Sequence, residues 1–120
     1  MRKAVCVIGV LAVIALGSWA NAQQGLGNPK AGQAVFQQNC LRCHGEGGDG
    51  TGLEGRYLIV PPANFQAPKS RLKTDYELFT IISYGLAVSP MHGWRDRLTE
   101  EQIWDVISYI RMLAPFSPIS

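Results

Sequence analysis

The stretch from Gln37 to Gly52 reads QQNCLRCHGEGGDGTG and brings Cys40, Cys43 and His44 onto one short segment. A Cys-x-x-Cys pair serves three chemistries: a redox disulfide, half of a zinc site, or the attachment point of a haem. Each demands different surroundings, so the rest of the chain discriminates among them.

A zinc site needs a second ligand pair. Outside the leader considered below, only His92 and scattered acids are available, and they match neither ribbon nor finger spacing. A thioredoxin-like site needs a βαβ setting, and the chain has no such alternation. Cys-x-x-Cys-His is the attachment sequence of c-type haem. Two thioethers form from the cysteines to the haem vinyl groups, and the adjacent histidine is placed as an axial ligand of the iron. Cysteines three apart on one helical turn reach the same edge of the macrocycle, and the next residue points to its face.

On the N-terminal side, Asn28 caps and Pro29 opens a helix predicted to run to about Gln38, with Ala31, Ala34, Val35 and Phe36 at helical spacing. Gln23 to Gly27 is a polar tail. Before it, Met1-Arg2-Lys3 is a basic start, Ala4 to Leu16 is an uncharged apolar run, and Ala20 and Ala22 fit the small-x-small rule. We expect a Sec-type signal peptide over residues 1–22, cleaved after Ala22, and one domain over 23–120. The apolar run is shorter than the ~20 residues that cross a bilayer, so no stable membrane insertion is expected after cleavage. Cys6 would leave with the leader, as would Arg2 and Lys3. That lowers the basic residues from 11 to 9, equal to the 9 acids, and removes the charge argument for nucleic acid or an anionic membrane. An exported domain of 98 residues has a modest core and often relies on a disulfide or a cofactor.

On the C-terminal side, GEGGDGTGLEG at 45–55 lacks the Gly-Lys-Ser/Thr ending of a phosphate loop and is read as a loop passing close to something bulky. Tyr57 to Val60, with Pro61, Pro62 and Pro68, is read as an irregular apolar wrap. A second helix opens at the Thr74/Glu77 capping box, uses Leu78, Ile81 and Ile82, and stops at Gly85. The last helix has a Thr99/Gln102 capping box, a Leu98/Ile103 staple and an Ile103, Val106, Ile107, Ile110 stripe. Arg111 in its last turn suits the helix dipole, and Pro115 ends it. Three helices joined by long loops predict an all-α domain.

A sixth ligand is sought far from His44. Met91, in the loop GLAVSPMHGW, is favoured because a thioether opposite a histidine is the pairing of high-potential cytochromes. His92 is its competitor, and only one of two adjacent residues in an extended loop faces the iron. Met112, on the last helix, is read as core filler.

These segments, notably CHGEGGDGTGLEGRYLIVPPANF, TDYELFTIISYG, SPMHGW and LTEEQIWDVISYIRML, resemble the class I cytochrome c family over essentially the whole mature chain. The resemblance implies a small cytochrome c fold around one covalent haem c and its iron. Its N- and C-terminal helices would cross, with Gly32 and Phe36 on one and Tyr109 on the other at the crossing. It also implies a proline carbonyl, from Pro61 or Pro62, accepting the N–H of His44. Tyr57 and Trp94 either approach the haem propionates or simply pack, and Trp104 covers a helix flank. Many bacterial relatives carry Pro after the ligand methionine, where this chain has His92.

A histidine and a methionine leave no open position on iron. The expectation is therefore periplasmic electron transfer with redox partner proteins and without nucleic acid. The alternatives are an electron-entry subunit of a larger oxidoreductase, or a haem enzyme or gas sensor with a labile sixth ligand.

Overall fold

The computed structural model describes residues 26–118. The expected leader, its cleavage point and Cys6 lie outside the described residues. The elements are α1 (Pro29–Asn39), α2 (Leu41–His44), a 3-10 turn (Gly55–Tyr57), α3 (Pro68–Arg71), α4 (Asp75–Tyr84) and α5 (Glu100–Leu113). Among the described residues the one β-pairing is an isolated antiparallel bridge between Gly85 and His92.

Local signals set the helix starts. The Asn28 side chain accepts from the backbone N–H groups of Lys30 and Ala31, with Pro29 as the first helical residue. The boxes at Thr74/Glu77 and Thr99/Gln102 are both reciprocal, each threonine receiving an N3 amide and each N3 side chain receiving the cap amide. The sequence did not announce α3, a single turn with Pro68 at its first position. The same proline that forbids a long helix is well suited to starting a short one.

The main interface is α1 against α5, with α4 packed on α5. Phe36, Ile103, Val106 and Ile107 are almost wholly enclosed, surrounded by Val35, Leu78, Ile82, Leu98 and Ile110. Burial of such side chains stabilises by about 1.5–3 kcal/mol each. At the crossing, Phe36 and Tyr109 meet with ring centroids 5.3 Å apart. Gly32 lies against the backbone of α5, where a Cβ would fall 1.9 Å from the Asp105 carbonyl oxygen. The buried polar side chains here are satisfied: Asp105 accepts from the Asn28 amide at 2.6 Å, and the Ser108 hydroxyl from the Gly27 amide at 3.1 Å.

Trp104 covers the flank of α5 as expected, stacked on Phe79 at 4.6 Å and edge-on to Tyr76 at 5.4 Å. Arg111 ties α5 to α4, bonding the Asp75 carboxylate at 2.7 Å and the Lys73 carbonyl at 2.5 Å. Met112 is not core filler. It is 67% exposed, because it falls off the stripe defined by Ile103, Val106, Ile107 and Ile110. The 57–60 segment forms no strand, and Tyr57 and Ile59 stand away from the protein core.

Candidate haem site

Cys40 caps α1 through its amide to the Phe36 carbonyl at 2.8 Å, and its own carbonyl receives the amides of Cys43 at 3.2 Å and His44 at 2.9 Å. One turn therefore carries all three residues. The two cysteines are half-buried and free. Burial, reinforced by the neighbouring Cys43, pushes the Cys40 thiol up to about 12. Among the described residues no three His, Cys, Asp or Glu side chains gather as a metal cluster.

The glycine-rich loop folds back on this turn. Its amides at Gly50, Gly52 and Glu54 donate to the carbonyls of His44, Cys43 and Arg42 at 2.8, 3.2 and 2.9 Å. The C-terminal carbonyls of α2, which have no partner within a four-residue helix, are thereby satisfied. Arg42 and Glu54 add an ion pair across the same contact. The bulky neighbour anticipated for this loop includes the backbone of the motif itself.

His44 has its Nδ1 3.4 Å from the Ala63 carbonyl oxygen, a long contact. The acceptor is neither Pro61 nor Pro62. The Pro62 carbonyl faces the tight turn at Gly50 and its ring lies beside Gly55, which brings the following residue round to the histidine. Burial lowers the His44 pKa and the Ala63 carbonyl opposes that shift. With the Nδ1 proton directed at Ala63, a neutral imidazole has its Nε2 lone pair free for a metal. Phe65 stacks on this ring at 4.7 Å with 20° between the planes. Sequence reasoning gave Phe65 no role, although it closes the segment running from the cysteine motif through the two prolines.

Met91 is half-buried and packs against the core. Its carbonyl accepts from the Leu86 amide at 2.9 Å, and its amide donates to the Ser89 hydroxyl at 3.1 Å. Together with the Gly85–His92 bridge these bonds pin the loop. His92 is exposed and tilted against Trp94 at 4.5 Å. Trp94 packs on the core, with its amide on the Ile82 carbonyl at 2.9 Å and the Arg97 guanidinium over its ring. Tyr57 is 83% exposed at the end of the 3-10 turn. Two thiols on one helical turn beside a neutral, backbone-oriented imidazole form a donor set that fits a c-type haem.

Comparison with known proteins agrees. The family described as cytochrome C oxidase, cbb3-type, subunit III matches residues 27–110. Thiosulfate dehydrogenase of Allochromatium vinosum is 32% identical over 83 residues, covering 66% of this chain and 29% of that protein. In the solved reducing HAO-like protein complex of Kuenenia stuttgartiensis, one chain is 35% identical with a TM-score of 0.64, over 72% of this chain and 43% of that one. Cytochrome c6 of the diatom Phaeodactylum tricornutum is 23% identical with a TM-score of 0.56, over 73% of this chain and 95% of its own, a likeness of fold. The present chain thus spans less than half of the first two proteins and the length of a small single domain.

Proposed function

The chain belongs to the c-type cytochrome family, matched over residues 27–110, and carries covalent haem c; from that premise we propose a periplasmic one-electron carrier with histidine and methionine as axial ligands. When bound, the group supplies a ferric/ferrous couple. In this reading Cys40 and Cys43 form the thioethers and His44 is the proximal ligand, oriented by the Ala63 carbonyl. Met91 is the distal ligand. Trp94 and Tyr57 flank the site as packing or propionate neighbours.

The observation that carries the choice of Met91 is its inward packing beside an outward His92 on one pinned loop. A closed pair of strong axial ligands favours electron transfer over substrate chemistry. The test is the far-red charge-transfer band of sulfur-ligated ferric haem, which should vanish in Met91→Ala and persist in His92→Ala. Absence of the band from the parent protein would favour His92 as the ligand, and its persistence in Met91→Ala would exclude Met91. Rapid carbon monoxide binding by the reduced native protein would instead favour an enzyme or sensor with a labile sixth ligand.

A second reading has support of its own. This chain matches only 29% of thiosulfate dehydrogenase and 43% of the chain from the HAO-like complex, so similar domains occur as parts of larger redox proteins. The electron-entry subunit of an oxidoreductase is therefore the alternative. Gel filtration of native extract distinguishes the two: a carrier elutes at the size of one small domain, a subunit with its partner. Periplasmic placement rests on the leader-like residues 1–22. No helix among the described residues is long and apolar enough to cross a membrane.

A further inference from the structure

Three aromatic contacts run from the helix crossing to His44. Tyr109 of α5 meets Phe36 of α1 at 5.3 Å, Phe36 meets Phe65 edge-on at 6.4 Å, and Phe65 lies nearly parallel to the His44 imidazole at 4.7 Å. Phe65 sits on a loop, yet it is not free to turn. Its amide donates to the Gly48 carbonyl at 2.7 Å, and Gly48, at φ +67°, leaves room for the ring where a Cβ would come within 2.6 Å of Cδ2. On its other side, the Ala63 carbonyl faces Nδ1 of the same histidine.

A single hydrogen bond through Nδ1 leaves the imidazole plane able to rock about that axis. A ring stacked on its face removes this freedom, because tilting the imidazole would drive it into the neighbouring π-face. We propose that Phe65 is a positioning residue for electron transfer: its stacked ring, seated by Gly48 and buttressed by Phe36, fixes the plane of the His44 imidazole. The carbonyl of Ala63 sets which nitrogen faces outward, and Phe65 sets the angle. Metal-bound histidines depend on such outer contacts for ring orientation and ligand strength. This inference rests on the reading of His44 as the proximal ligand.

The test uses the haem-loaded protein and its Phe65→Leu and Phe65→Tyr variants. The readouts are the midpoint potential and the paramagnetically shifted haem-methyl resonances of the ferric state, whose spread follows the orientation of the axial ligand planes. Thermal melting serves as the fold control. The leucine variant keeps apolar bulk but loses the π-face, so its methyl pattern and potential should both shift. The tyrosine variant keeps the ring and should restore both. Phe65→Met, flexible enough to fill the same space, stands in if the leucine protein fails to load haem. A parental methyl pattern and potential in the ringless variant, even with a lowered melting temperature, would reduce Phe65 to packing and overturn the proposal. Absence of histidine-ligand resonances from the parent protein would overturn the His44 assignment as well.

Discussion

Gly32 on α1 and Asp105 on α5 approach so closely that a methyl group on the glycine would sit 1.9 Å from the aspartate carbonyl oxygen and 2.8 Å from the Val106 nitrogen. Both are backbone atoms of a helix that holds the core together, so neither can rotate out of the way. Intrinsic preference argues the other way, since alanine stabilises a helix interior over glycine by about 0.5–1 kcal/mol. Gly32→Ala should therefore destabilise the protein, against propensity, by about 1–3 kcal/mol or more from overpacking. Urea unfolding of the haem-loaded protein measures this. An unchanged or raised midpoint would mean that the helices cross elsewhere.

A paired substitution tests the seat of Phe65. Gly48 has φ +67° and a Cβ there would strike the Phe65 ring, whereas its neighbour Gly47 has nothing within 4 Å of its Cβ position. Gly48→Ala combines left-handed strain, about 1–2 kcal/mol, with that clash. Gly47→Ala should be neutral, or stabilising by up to about 1 kcal/mol through the unfolded chain. Melting temperatures of the two proteins check the contrast. Equal effects would show that the loop accommodates a side chain at either position.

Helix starts and the α5 stripe follow from local signals, whereas the path of the 45–65 loop follows from tertiary contacts. The caps at Asn28, Thr74 and Thr99 and the apolar stripe of α5 were readable because helix signals act over three or four residues. The placement of Cys40, Cys43 and His44 on one turn was readable because the three lie within five consecutive residues. The carbonyl facing His44 was not, because Ala63, Pro62 and Pro61 are equivalent as acceptors until the loop path is known. That path depends on contacts among Gly50, Gly55 and Pro62 and on the Gly48–Phe65 bond, all of them tertiary. Phe65 escaped notice for the same reason. Its sequence neighbours say nothing of the histidine 21 positions earlier. The exposure of Met112 was legible as well, because the stripe of Ile103, Val106, Ile107 and Ile110 continues to Leu113 and Ala114 and leaves 112 off its face.

The two capping boxes differ in one respect that pH exposes. At α5 the reciprocating side chain is Gln102, which does not titrate. At α4 it is Glu77, whose carboxylate accepts from the Thr74 amide at 2.6 Å and the Thr74 hydroxyl at 2.8 Å. Those bonds to Thr74 lower the Glu77 pKa from its ordinary 4.5. Because the folded value lies below the unfolded one, the contribution is fully present above about pH 4.5 and fades as pH falls through the folded value. Glu77→Gln reproduces the uncharged box of α5 and removes this dependence. The parent should melt slightly above the Glu77→Gln protein at neutral pH, where the carboxylate also favours the N-terminus of α4. The gap should close on acidification, and a gap of constant size across that range would show that the ionised carboxylate contributes nothing to the box.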